Sequence, residues 1–311
     1  MKKTLFTLVC LMMASVSMFA ESAVVCLLQH GGTVQLFDAD KIANAIKAAV
    51  DGDTLYLTAG SFSGFTIDKK ITVRGAGQET KITSDITISI SGTPTLTQTV
   101  LEGLDLWSSG GSVILSTAMK GVKIKQCSMS SLYVNANNSD VIIDRCDINN
   151  ELCYSSSIKS MTVLNSYAQI GRNYSSSENT IHFVNCKVNM YFPSYCAGTF
   201  INSVIGRNSS SSSYQSISNC SFVNCLFRWN ANSDFRSSTT VQNCYYDSEC
   251  STDDATLAEL GYLGNDGKVV GYNGGISPYT LELSVPKVTE SEISLDPGTR
   301  VLNVNLKVSA K

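Results

Sequence analysis

Charged side chains are few. Asp, Glu, Lys and Arg make up 16% of the 311 residues, against about 25% in an average soluble domain. Basic residues are the minority, 23 against 26 acidic ones, and the net charge is −3. That balance excludes the basic surface a phosphate backbone requires, so no nucleic-acid partner is expected. Proline is limited to five residues, and Pro193 alone interrupts residues 95–277. A stretch almost without proline suits strands whose backbone N–H groups are committed to neighbours. After residue 20 nothing is long and apolar enough to span a bilayer. The hydrophobic share, 43%, in turn excludes a disordered chain. Cysteine is abundant instead, with 11 residues, in a chain long enough to bury a core without staples.

Residues 1–20 open on Lys2 and Lys3, run through Leu5, Phe6, Leu8, Val9, Leu11, Met12 and Met13, and end in small residues. A basic start, a short apolar run and a small-residue exit have the form of a secretory signal peptide. The expected organisation is a signal peptide over 1–20, an N-terminal segment with a capping helix over 21–53, a repeat domain over 54–250, and a C-terminal cap with a β-hairpin over 251–311. The expected location is outside the cytoplasm of a bacterium: periplasm, outer surface or medium.

A repeat organises the middle of the chain. Leu104, Cys127, Cys146, Ser166, Cys186, Ser203, Cys225 and Cys244 align as anchors at spacings of 23, 19, 20, 20, 17, 22 and 19. Three positions before the anchor stand Leu101, Ile124, Ile143, Val163, Phe183, Phe200, Phe222 and Val241. Two positions after it stand Leu106, Met129, Ile148, Ala168, Val188, Ile205, Phe227 and Tyr246. Anchor and anchor+2 share one face, as strand geometry requires. Anchor−3 also faces inward although its offset is odd, so the chain must bend between the two segments. The column before the anchor supplies the bend: Gly103, Gln126, Arg145, then Asn165, Asn185, Asn202, Asn224 and Asn243. Asn tolerates left-handed backbone, and its amide can reach the Asn of the next coil.

These columns and the Asn ladder, over roughly residues 50–250, resemble the right-handed parallel β-helix of pectin-lyase-like proteins of exported bacterial type. The resemblance implies an all-β fold: a single-stranded right-handed parallel β-helix of about 20 residues per coil, with an N-terminal capping helix and a C-terminal hairpin cap. A leucine-rich horseshoe is disfavoured, because no leucine consensus recurs. AIKAAVDGDTLYLTAGSFSG (45–64) and TIDKKITVRGAG (66–77) are similar to the opening segment of many such proteins. At that end Ile42, Ile46, Ala49 and Val50 fall on one helical face, with Asp38 or Asp40 as cap. Asp51 and Asp53 read as turn chemistry rather than calcium ligands. At the other end a short helix is expected within 252–260. GYNGGISPYT (271–280) resembles a tail of exported bacterial β-helix proteins. A hairpin turning at Asp296-Pro297-Gly298 follows, with Leu302, Val304, Leu306 and Val308 alternating with polar residues.

The anchor cysteines read as buried thiols packed as small hydrophobes, since Ser166 and Ser203 replace them. Cys26, Cys153, Cys196, Cys220 and Cys250 lie outside the column and their pairing stays open. Enzymes on this fold process acidic polysaccharides with clustered carboxylates. Here Asp105 and Asp147 share the anchor+1 column two coils apart, about 9.6 Å at the usual strand spacing. The NTD, GHG and RIK runs of those enzymes are absent. His182 is expected to be solvent-exposed without a catalytic partner. No catalytic residue, metal ligand or cofactor is assigned. Aromatic residues beside amides suit sugar rings, with a face for stacking and donors and acceptors for hydroxyls. The candidate glycan contacts are Trp107, Tyr191, Tyr195, Arg228, Trp229 and Asp247. The favoured reading is an exported, non-catalytic β-helix protein whose Ser/Asn/aromatic surface binds a polysaccharide, glycans or other surface molecules. Its rivals are a polysaccharide lyase or glycoside hydrolase, and a structural or adhesive surface component.

Overall fold

A computed structural model describes residues 24–91, 99–135, 137–154, 158–170, 180–190, 198–207, 217–231, 235–247, 254–275, 287–296 and 301–309. The expected signal peptide, Tyr191, Tyr195, Cys196 and Cys250 lie outside them. Contacts divide the chain into two units, 1–281 and 282–311.

The first unit is a parallel β-helix. One sheet of twelve strands and another of ten run along the stack, and nearly all pairings within them are parallel. Successive coils stay in register: Val163 pairs with Phe183, Phe183 with Phe200, and Phe200 with Phe222 in the first sheet. Ile148 pairs with Ala168, Ala168 with Val188, and Val188 with Ile205 in the second. The inward columns form one core. From Leu101 to Phe222 and from Leu106 to Phe227 every member is buried. In the last coil Val241 and Tyr246 are 41% and 44% exposed, so the column ends where the stack ends. Phe183, Phe200 and Phe222 stack ring on ring at 4.7 and 4.9 Å.

The bend is where the repeat placed it. Gly103, Gln126, Arg145, Asn165, Asn185, Asn202, Asn224 and Asn243 all have φ between 45° and 66°. Each of the five asparagines thus holds a left-handed conformation that most L-residues resist. Backbone hydrogen bonding continues through the corner. Asn165 N donates to Val184 O at 3.1 Å in the next coil, and Tyr167 N donates to Cys146 O at 3.0 Å in the previous one.

The anchor residue sits between these two donors, and its own N–H finds a side chain. Cys146 N donates to Ser166 Oγ at 3.0 Å, Cys186 N to Ser203 Oγ at 3.2 Å, and Cys225 N to Cys244 Sγ at 3.3 Å. Each anchor side chain from Cys127 to Cys244 also donates to the carbonyl two residues earlier, at 2.7–3.5 Å. Packing as small hydrophobes is therefore an incomplete account. The column needs a small side chain that both donates and accepts, which is why Ser and Cys interchange in it.

All eight described cysteines are unbridged. Burial pushes the Cys127 and Cys186 thiols up to about 12, and that of Cys146 well above its ordinary value. Cys244, at the partly exposed end, is lowered, chiefly by a hydrogen bond from Cys225. Thiolate is the reactive form. With iodoacetamide on native protein and peptide mapping, Cys244 should therefore label first of these eight, and Cys127, Cys146 and Cys186 only after denaturation. Labelling of Cys146 ahead of Cys244 in native buffer would contradict this.

At the N-terminal end an antiparallel hairpin, Val25–His30 with Thr33–Asp38, extends the first sheet beyond Thr54–Leu57. The helix Ile42–Ala48 buries Ile42, Ala45 and Ile46, and Ala49 follows them into the core. Two expectations need correction. Val50 is 47% exposed, because the helix has ended and the chain has turned extended at Ala49. Neither Asp38 nor Lys41 makes a side-chain cap bond at the helical starts. The other end of the helix is held instead, with Lys69 Nζ donating to Ile46 O and Lys47 O at 2.9 and 2.8 Å. The aspartates do serve the turn. Asp53 Oδ2 accepts from Val50 N at 2.8 Å and Asp51 Oδ1 from Lys70 N at 2.9 Å.

The expected helix near 252–260 is present as Asp254–Glu259. The segment after it packs along the flank of the stack, over the Asn corner. Leu257 and Val270 bury Val204 and Leu226, and Tyr262 stacks on Tyr245 at 4.7 Å. Asn185 Nδ2 donates to Tyr272 O and Gly274 O, at 3.0 and 2.6 Å. The second unit contains an antiparallel hairpin, Lys287–Asp296 with Val301–Ser309, Asp296 opposite Val301.

Candidate functional site

The outward positions of the second sheet form two columns, anchor+1 and anchor+3. The first runs Ser128, Asp147, Tyr167, Lys187, Val204 and Leu226 in register. Its last two members lie under the C-terminal segment, so the part open to a ligand ends at Lys187. The second column holds Asn149, Gln169, Asn189 and Gly206, with Gln169 opposite Asn189 and Asn189 opposite Gly206.

Tyr167 is at the centre of this patch, half-buried like its polar neighbours. Its coil partners are Asp147 on one side and Lys187 on the other. Lys187 Nζ lies 5.8 Å from the ring centroid, within cation–π range. Asn189 Nδ2 donates to the phenolic oxygen at 3.0 Å, which leaves the phenol proton for another acceptor. Gly206 makes room for Asn189, since a Cβ there would lie 2.2 Å from Asn189 Oδ1. The same Cβ would lie 3.6 Å from Arg228 Cδ, so the Arg228 stem borders the patch. Burial raises the Asp147 carboxyl pKa, partly offset by a hydrogen bond from Asn149 and the charge of Lys187. An aromatic ring among amides, a cation and a carboxylate offers a stacking face together with donors and acceptors.

The candidates among the described residues are dispersed. Trp107 is 48% exposed on a 3-10 turn, Trp107–Ser109. It lies six coil steps from Arg228, roughly 29 Å at the usual spacing. Trp229 is partly buried and packs edge-on against Phe227 at 5.4 Å, in a loop-packing role. Arg228 and Asp247 occupy the same column in adjacent coils. Of the four described candidates, Arg228 is brought to the Tyr167 patch; Tyr191 and Tyr195 lie outside the described residues. Tyr167, Lys187 and Asn189 stand in the aligned columns, and their adjacency across coils is the signal the sequence carries for this patch.

The carboxylates do not form a matched pair. Asp105 is buried, and its Oδ1 accepts from Ser128 Oγ at 2.5 Å and from Ser108 N at 3.3 Å. It fastens the 3-10 turn to the next coil. Among the described residues no group of three His, Cys, Asp or Glu is placed to hold a metal ion, and no helix is long and apolar enough to cross a membrane. No protein-family model, curated protein or solved structure matches the chain.

Proposed function

We propose that the chain is an exported, non-catalytic glycan-binding protein of the pectin-lyase-like kind, with Tyr167 at the centre of its contact surface. The observation that carries this reading is the Tyr167 patch: a ring with its hydroxyl oriented by Asn189, Lys187 near the ring, and Asp147, Asn149 and Gln169 around it. Rigidity supports it as well. Each side chain stands on a strand hydrogen-bonded to coils on both sides, so little ordering accompanies binding. Export supports it through the leader-like residues 1–20. An exported chain tolerates unpaired thiols when burial keeps them protonated, as at Cys127 and Cys186. A glycan array probed with the leaderless protein tests the reading. Binding should appear, and Tyr167→Ala should weaken it about tenfold or more with an unchanged circular dichroism spectrum. Unaltered binding by that variant overturns the Tyr167 assignment. An array without signal leaves the structural or adhesive reading in its place.

One observation favours a hydrolase instead. Burial raises the Asp147 carboxyl pKa, as a general acid requires, and Asp105 stands two coils away, about 9.6 Å, at the outer limit for inversion. Against it, Asp105 is committed to two hydrogen bonds. Release of reducing ends or unsaturated uronides from a polysaccharide panel, lost in Asp147→Asn, would replace the binding reading.

A further inference from the structure

The first sheet carries a polar feature on its own outward face, away from the Tyr167 patch. His182, Thr199, Ser221 and Thr240 are register partners in four successive strands. Their side chains therefore rise in one column at about 4.8 Å per coil. Together with Asn219 they border a cavity of about 390 Å³. Gly198 borders it too, and a Cβ at that position would meet the Ile181 carbonyl oxygen at 2.9 Å. The absent side chain leaves the wall hollow between Ile181 and Cys220. His182 is half-buried here and turned to the cavity, not simply exposed as the sequence implied.

Two properties define what this cleft recognises. The side chains of His182, Thr199, Ser221 and Thr240 have no hydrogen-bond partner among the described residues. Three hydroxyls and an imidazole ring offer hydrogen-bonding groups in a row. In addition, none of the described residues that border the cavity is Lys, Arg, Asp or Glu, so an ionic ligand would find no counter-charge among them for the hydration it gives up. The apolar lining is too small for a lipid chain. A ligand rich in neutral hydroxyls matches both properties, because each hydroxyl is itself donor and acceptor. We propose that the His182–Thr240 cleft is a binding site for a neutral saccharide, separate from the Tyr167 patch and independent of it.

Isothermal titration calorimetry on the full leaderless chain tests this, with cellohexaose, maltohexaose, mannohexaose, xylohexaose and hexagalacturonate as probes. The proteins are the wild type, His182→Ala, Ser221→Leu (which fills the cleft) and Tyr167→Ala. At least one neutral hexasaccharide should bind the wild type. Its affinity should fall tenfold or more in His182→Ala and Ser221→Leu and persist in Tyr167→Ala. If Ser221→Leu does not fold, His182→Ala, with the His182 ring signals followed by NMR during titration, decides alone. The proposal is overturned if no neutral probe binds, if His182→Ala binds like the wild type, or if hexagalacturonate is the ligand whose binding the cleft variants abolish. Loss confined to Tyr167→Ala overturns the cleft and leaves the patch standing. Loss confined to the cleft variants is the expected result and leaves the Tyr167 patch to be judged by the glycan array.

Discussion

Phe200→Ala is expected to destabilise the protein by about 3–5 kcal/mol. The ring is fully buried and lies between Phe183 at 4.7 Å and Phe222 at 4.9 Å, nearly parallel to both. Truncation removes its transfer free energy and leaves a void between two flat rings. The void cannot close easily, because Gly198–Ile201 is hydrogen-bonded in register to Thr180–Val184 on one side and Cys220–Val223 on the other. Coil spacing is fixed by those bonds, so Phe183 and Phe222 cannot slide together. Phe200→Leu keeps much of the volume and should cost about 1 kcal/mol. Urea unfolding measures the difference. Because a stack of coils need not unfold all-or-none, hydrogen exchange in those three strands gives the local value. A loss in Phe200→Ala no larger than that in Phe200→Leu would mean that the coils relax around the gap, and that the column packs more loosely than a ring stack implies.

The Phe column was legible because it is a column. Each coil repeats the same two constraints, an inward residue two before the corner asparagine and another three after it. Eight imperfect copies therefore reveal what one could not. The corner was legible for the same reason: five consecutive asparagines state a requirement for positive φ that a lone asparagine does not. Legibility failed where a residue acts once. Nothing repeats in the hairpin Val25–His30 with Thr33–Asp38, and its role as the antiparallel edge of the first sheet came only with the structure. The anchor+1 column mixes polar and apolar residues along the sequence. In fact it is polar as far as Lys187 and apolar at Val204 and Leu226, because Leu257 and Val270 cover the latter pair. The contact surface suffered likewise. Trp107 and Trp229 stood out as residue types, yet one is roughly 29 Å from the neighbouring candidate Arg228 and the other is packed on Phe227. Tyr167 stood out only by its neighbours, and neighbours across coils are visible only once the register is taken as literal.

Asn224→Ala should be the most damaging change at the corner, at about 2–4 kcal/mol. Two separate costs combine in it. The first is conformational: φ is 55°, and alanine resists that region by about 1–2 kcal/mol. The second is the loss of a buried amide whose donors and acceptor are all engaged. Asn224 Nδ2 donates to Asn202 Oδ1 at 3.1 Å and to Asn265 Oδ1 at 2.8 Å, and Asn224 Oδ1 accepts from Asn265 N at 3.1 Å. Two companion variants separate these costs. Asn224→Gly relieves the backbone but still removes the amide, so it should retain about 1–3 kcal/mol of the loss. Asn243→Ala meets the same conformational cost at φ 47° with an exposed side chain, so it should lose only that cost, about 1–2 kcal/mol. The amide cost should also appear in a place the conformational cost does not reach. Asn265 belongs to the segment that covers Val204 and Leu226, so Asn224→Ala and Asn224→Gly should both speed proteolysis within 254–275, whereas Asn243→Ala should not. If Asn224→Gly proved as stable and as protease-resistant as the wild type, the asparagine would be there for its backbone alone. The C-terminal segment would then be held by Leu257, Val270 and the Tyr245–Tyr262 stack without help from the ladder.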